Sequence, residues 1–380
     1  MADSYTKVTN TSWGSRLGGS IKGILFGLLL FIVAFPVLFW NEGRSVKRYK
    51  ALKEGQGAVV SVSADKVDAA NEGKLIHVSG NMTTEDTITD PEFNVSVKAL
   101  KLIRKVEMYQ WVEEKKSETK KKIGGGEETI TTYNYKKDWS SQVINSSDFD
   151  TPDGHQNPAN MDYQPGQEVA STVTLGAFKV PTTIVERVGN EEKLNVGDKT
   201  RPNGMKVFNG GYYVGNNPDY PAIGDQRISF EVVNPQDMTL VYKQVSGSFE
   251  PYTTKYGEIA LMKSGKLSAD QMFEAAQAEN KMITWILRLV GFFMMFIGLS
   301  MIMKPISVVL DVLPILGNIA GIGIGIVAFL VALPFTLITI AIAWIYYRPV
   351  LAIILIVIAG ASIYLFIKMK KKNASTAPAQ

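Results

Sequence analysis

Apolar positions are spread unevenly along the chain. They gather into long runs near both ends and leave an ordinary, alternating middle. The first run spans Ile21 to Trp40 and carries no charge from Ile24 onward. About 20 helical residues at 1.5 Å each cross a hydrocarbon core of about 30 Å. Pro36 falls in the last turn, where a kink is tolerated. The run ends Leu38-Phe39-Trp40-Asn41-Glu42, without a small-residue cleavage site, so a retained signal anchor is expected rather than a removed signal peptide. A second run covers 283–303. A third, 304–345, begins with an interfacial turn near Leu313-Pro314 and bends at Pro334. A fourth, 346–367, opens on the turn Tyr346-Tyr347-Arg348-Pro349. The pattern predicts an integral membrane protein with four transmembrane α-helices, one N-terminal and three C-terminal. A tail of residues 1–20, a large β-rich α+β domain over 41–282 and a basic tail over 368–380 lie outside the lipid.

The middle switches to a period of two. Short β-type runs are read at 59–62, 75–78, 101–113, 168–175, 226–233 and 238–245, separated by Gly, Pro, Asn and Asp. In Val106-Glu107-Met108-Tyr109-Gln110-Trp111, the side chains of Glu107, Tyr109 and Trp111 share one face. Tyr109 and Trp111 are candidates for a partner surface, with core packing the blander reading. Ser268-Ala269-Asp270-Gln271 has the form of a capping box, so a helix is expected to run from there into the second span. Asn41 to Leu52 also reads as partly helical.

Charge sets the orientation. The net charge is only +4, and many cations flank the apolar runs. Lys368, Lys370, Lys371 and Lys372 follow the fourth run and are expected in the cytoplasm. Four crossings then place the N-terminal tail in the cytoplasm and the large domain outside it. Arg44, Lys47, Arg48 and Lys50 argue the other way and outnumber Lys7, Arg16 and Lys22. A long loop is translocated largely regardless of its charge, so the C-terminal tail decides. Arg44, Lys47, Arg48, Trp285, Arg288, Tyr347 and Arg348 are read as membrane-interface residues, and Arg288 has a second possible role as a buried ion-pair partner.

Within the spans, Gly317, Gly321 and Gly325 stand four apart on one helix face, and Gly291 and Gly298 form a weaker groove. Small residues let helices approach closely, so these are candidate positions for helix packing or self-association. No acidic residue lies mid-span, which argues against a transporter.

The search for chemistry finds little. There is no cysteine, hence no disulfide and no thiolate zinc site. The two histidines, His77 and His155, lack a histidine partner at ligand spacing. Asp148, Asp150, Asp153 and Gly154 depart from calcium-loop spacing. Gly124-Gly125-Gly126 lacks the Lys-Ser/Thr of a phosphate loop and reads as the mobile tip of a long hairpin, with anionic-lipid contact the functional alternative. No basic stripe interleaved with aromatics suggests nucleic acid. No enzyme, cofactor or metal is expected; the partners expected are membrane lipids, further copies of the chain and other envelope membrane proteins. The rival readings are a channel or transporter component and a membrane-anchored hydrolase.

Several blocks together resemble the transmembrane protein 43 family, also called LUMA. They are Asn41-Glu42-Gly43-Arg44, Asn71-Glu72-Gly73-Lys74-Leu75-Ile76-His77-Val78, Val106-Glu107-Met108-Tyr109-Gln110-Trp111 and His155-Gln156-Asn157-Pro158. Gly224-Asp225-Gln226-Arg227-Ile228-Ser229-Phe230, Thr284-Trp285 with Leu287-Arg288, and Tyr347-Arg348-Pro349 complete the set. The resemblance runs from about residue 21 to 366. It implies four spans and a large luminal or periplasmic domain. It also implies a self-associating scaffold, which in eukaryotes organises emerin and lamins at the endoplasmic reticulum and inner nuclear membrane. It carries over no catalytic residue. The absence of cysteine and the terse loops point to a bacterial member, placed in the inner membrane and without a lamina to bind.

Overall fold

The protein is described by a computed structural model covering residues 3–197, 205–350 and 353. It divides into two compact units: one holds Met1–Thr9, Lys53–Thr119 and Thr129–Ala275, the other Asn10–Leu52, Lys120–Glu128 and Ala276–Gln380.

The first unit is β-rich. One eight-stranded sheet is built on the long strand Lys101–Lys121, flanked by Glu127–Ser140 on one side and Gln226–Val233 on the other. The strand Asp3–Thr11 pairs with Glu127–Ser140 and forms the sheet edge. A seven-stranded sheet centres on Leu75–Thr84 and Gln236–Val245, which pair antiparallel with Leu240 opposite Val78. Alternation sets the core face. In Gln226–Val233 buried and half-buried positions alternate, sending Ile228 and Phe230 inward. They join Val106, Met108, Ile76, Val78, Leu240 and Tyr242 in one apolar cluster drawn from both sheets. The layered β-rich prediction therefore holds in kind. Two boundaries differ: the run 168–175 is two strands, Gly166–Val169 and Val173–Leu175, and the run from 101 continues to Lys121 although its far half is exposed. That half has no apolar face to read, because its pairing comes from the hairpin partner. Residues 3–11, read as tail, form a strand for the same reason: a polar edge strand is specified by its neighbour.

The second unit is helical. Helix α1 spans Trp13–Ala58 and starts on Ser12, whose carbonyl accepts from Arg16 N at 3.0 Å. It passes through Pro36 without ending, and its last turn belongs to the β-rich unit. A four-residue helix, α2, Thr182–Val185, lies in the β-rich unit. Helix α3, Ala269–Leu310, opens on the expected capping box. Ser268 N donates to Gln271 Oε1 at 2.8 Å, and Gln271 N donates to Ser268 Oγ at 3.2 Å. Helix α4, Pro314–Tyr347, has proline in its first turn and contains Pro334. All three long helices are apolar enough and long enough to cross a membrane. Their outward positions are apolar, for example Leu25, Ile319 and Ile322. Water would not tolerate so large an apolar surface; lipid would. Most of the fourth expected span, 346–367, lies outside the described residues.

Candidate functional site

The helical unit carries two polar clusters separated by an apolar stretch. One gathers three of the blocks that carry the family resemblance. Glu42, fully buried on α1, accepts from Arg288 Nε at 2.6 Å and Arg288 Nη2 at 3.0 Å on α3. It also accepts from Trp344 Nε1 on α4 at 2.8 Å. The Arg288 guanidinium lies 4.7 Å from the Trp285 ring and 5.7 Å from the Trp344 ring. A carboxylate removed from water is tolerated only when its lone pairs are satisfied, and here three donors do so. Of the two roles the sequence leaves open for Arg288, the geometry makes it an ion-pair partner.

The flanking residues follow the same logic. Asn41 Nδ2 donates to the Thr284 carbonyl at 3.0 Å. Arg44 donates to Asn280 Oδ1, Asn41 Oδ1 and Thr284 Oγ1 within 3.3 Å. Gly43 faces the Tyr347 ring, and a Cβ there would meet Tyr347 Cζ at 2.5 Å. Arg348 lies 6.0 Å from the Trp344 ring, while Lys47 points outward. The sequence reading missed Glu42 because it sits two residues past the apolar run. The signal that could have found it is an acid at the end of one span matched by Arg288 near the start of another.

The second cluster lies at the other end of α1. Asp311, buried between α3 and α4, pairs with Arg16 at 2.5 Å and Lys121 at 2.7 Å. Arg16 also reaches Glu127 at 2.7 Å. Burial alone would raise the Asp311 pKa. The hydrogen bonds and charges of Lys121 and Arg16 outweigh it and hold the carboxyl below its ordinary range. Lys121 and Glu127 come from the hairpin tip, which is seated rather than free. Gly124 N donates to the Val312 carbonyl at 3.0 Å, and the Trp13 ring fills the place where a Gly125 Cβ would stand. Gly124 and Gly125 have φ of +90° and +80°, which glycine alone adopts freely. The glycines thus serve both the turn and the approach of Trp13.

Along α1, Arg16 and Glu42 stand about 39 Å apart at 1.5 Å per residue, and on α3 Arg288 stands about 33 Å from Leu310, the residue before Asp311. The stretch between the clusters is therefore the length of a bilayer core with its inner headgroup margins. Within it, Ala34, Leu38, Met295 and Ala332 form the shared core. Gly298 packs on α1: a Cβ there would lie 2.7 Å from the Gly27 carbonyl oxygen and 2.9 Å from Phe31 N. Gly291 faces Leu38, and Gly317 faces Asp311. Among the described residues, Gly321 and Gly325 meet nothing within 4 Å.

In the β-rich unit, Tyr109 and Trp111 are half-buried on the face opposite Val106 and Met108. Tyr109 lies 5.2 Å from Trp139, and Trp111 meets His155 edge-on at 4.7 Å. His155 Nε2 contacts Asp3 at 2.9 Å, and Nδ1 contacts the Thr151 carbonyl at 2.8 Å. Both ring nitrogens are thereby occupied, and the ring stacks on Tyr135 at 3.9 Å. Burial and the Asp225 carboxylate push the neighbouring Tyr213 phenol up. A cleft of about 280 Å³ lies beside the Glu107–Arg227 ion pair, lined also by Lys193 and Phe208. It does not include His155. Among the described residues no cluster of three His, Asp or Glu side chains could hold a metal.

A family model described as Transmembrane protein 43 matches residues 108–349. Transmembrane protein 43 of Mus musculus is 34% identical over 350 residues, covering 89% of this chain and 87% of that protein. That of Homo sapiens is 33% identical over 353 residues, covering 90% and 88%. A Drosophila melanogaster homolog is 30% identical over 354 residues, covering 90% and 93%. No solved structure matches.

Proposed function

The chain belongs to the transmembrane protein 43 family, and on that premise we propose that it is a non-enzymatic membrane scaffold that self-associates and organises membrane-protein or lipid partners. One observation carries the reading: among the described residues, the buried carboxylates Glu42 and Asp311 are consumed in internal pairs while the Gly321–Gly325 face of α4 is left open. A transport path needs polar groups free to receive cargo, whereas Glu42 and Asp311 are fully engaged within the fold. The open small-residue face suits close approach of a second chain's helix. The run 350–366 forms the fourth span in this proposal, and the tail from Lys368 is cytoplasmic. The absence of cysteine favours a bacterial inner membrane. Tyr109 and Trp111 are proposed as the partner-facing aromatics.

The test is crosslinking in native membranes followed by gentle extraction. Crosslinked oligomers are expected for the natural chain. Gly321→Leu with Gly325→Leu should reduce them to monomers without lowering the melting temperature. A strictly monomeric natural chain removes the self-association reading, and selective conductance in liposomes replaces the scaffold with a channel.

A further inference from the structure

Ile123, at the hairpin tip, is 88% exposed, more than any other large hydrophobic side chain among the described residues. It is held in place, not free. Gly124 is hydrogen-bonded to Val312, and Trp13 covers Gly125 while donating through Nε1 to the Val308 carbonyl at 2.8 Å. Tryptophan at the end of an apolar helix marks the headgroup level of a bilayer. The neighbouring turn is apolar and outward-facing too: Val309, Val312, Leu313 and Ile315 are all exposed. An isolated apolar finger at this height has lipid as its natural surrounding.

The charge around the finger is the second observation. Lys121 and Arg16 are neutralised by Asp311 and Glu127, and Lys122 is shared between Glu128 and Asn10. Lys120 is exposed and, among the described residues, has no carboxylate within ion-pair distance. Lys22 and Lys304 are exposed on α1 and α3, within about two helical turns of Arg16 and Asp311. The cluster as a whole keeps excess positive charge beside an exposed isoleucine. Ammonium groups ringing an apolar tip match a bilayer whose headgroups are anionic.

We propose that the hairpin tip is an anionic-lipid contact, with Ile123 inserted among acyl chains and Lys120 against headgroup phosphates. The inference rests only on membrane insertion of the helices and is independent of the scaffold reading. The chain has no cysteine, so Ile123→Cys gives a single site for a nitroxide label in the full-length protein. The label is read by its accessibility to oxygen and to a water-soluble nickel chelate. In vesicles of phosphatidylglycerol and phosphatidylcholine it should be oxygen-accessible and shielded from nickel. In phosphatidylcholine alone, or with Lys120→Gln added, nickel accessibility should rise several-fold. Equal nickel accessibility in both vesicles overturns the proposal, and so does equal shielding in both. Shielding from both reagents means a protein covers the tip, and also overturns it. A control label at Leu330 that is water-exposed would show that the helices never inserted, and the proposal would fall with that premise.

Discussion

At the residue scale, the most consequential pair is Glu42 with Arg288. Neither ion gains much from the pair alone, since desolvation nearly cancels attraction. Breaking it is another matter, because the remaining charge would be buried without a partner. Glu42→Leu or Arg288→Leu alone is expected to cost about 3–5 kcal/mol, read as a lower melting temperature in detergent. The double variant should recover most of that loss. If the two single losses simply add, the pair is not coupled and the assignment fails. Arg288 was visible in the sequence as an anomaly, a cation inside an apolar run. Glu42 was not, because two residues beyond the run it looks like an ordinary polar end. Side-chain identity told which groups were costly to bury, but not which of them would meet.

At the element scale, helices were legible where periodicity or capping chemistry was local. The capping box at Ser268 and the strand Gln226–Val233 stand where the pattern puts them. The strands Asp3–Thr11 and the far half of Lys101–Lys121 were not legible, since their residues are polar on both faces and their order comes from pairing. The seated hairpin tip belongs to the same class: three glycines between charges read as mobile until Trp13 and Val312 are placed beside them. Asp311 is the hub of that seat, and its behaviour with pH follows from the direction of its shift. Its folded pKa is lower than the ordinary 3.8. A depressed carboxyl contributes stability that is present above the unfolded value and is lost as pH falls through the folded one. The seat should therefore hold from neutral pH down to the ordinary carboxylate range and loosen only below it. In an Asp311→Asn background the seat should loosen at neutral pH, read as faster amide hydrogen exchange at Gly124, whose N–H is bonded to the Val312 carbonyl in the seat. Mild acidification that stays above the ordinary carboxylate range should leave the protection of that amide unchanged. Loss of the contact near pH 6 would show that another group controls the seat.

At the scale of the whole molecule, the hairpin is one of the elements that belong to both units: its strands lie largely in the β-rich unit and its tip in the helical one. Its strands between Glu114 and Lys120 are exposed and carry Lys115, Lys116 and Glu118. Charged strands of this kind cannot be immersed in hydrocarbon, where each unpaired charge and backbone group is costly. Whatever path the hairpin takes, water must accompany it, and this separates the scaffold from the channel. Single cysteines at Lys115, Ser117 and Thr119 should all react with a water-soluble, membrane-impermeant maleimide in intact vesicles. For a scaffold they should react from one side only, the side from which a cysteine at Ser147 in the β-rich unit reacts. Reaction from both sides would require an aqueous route through the bilayer beside the hairpin, and the function would then be conduction. Failure to react at all, with Ser147 still labelled, would place charged strands in a dry setting that neither reading provides.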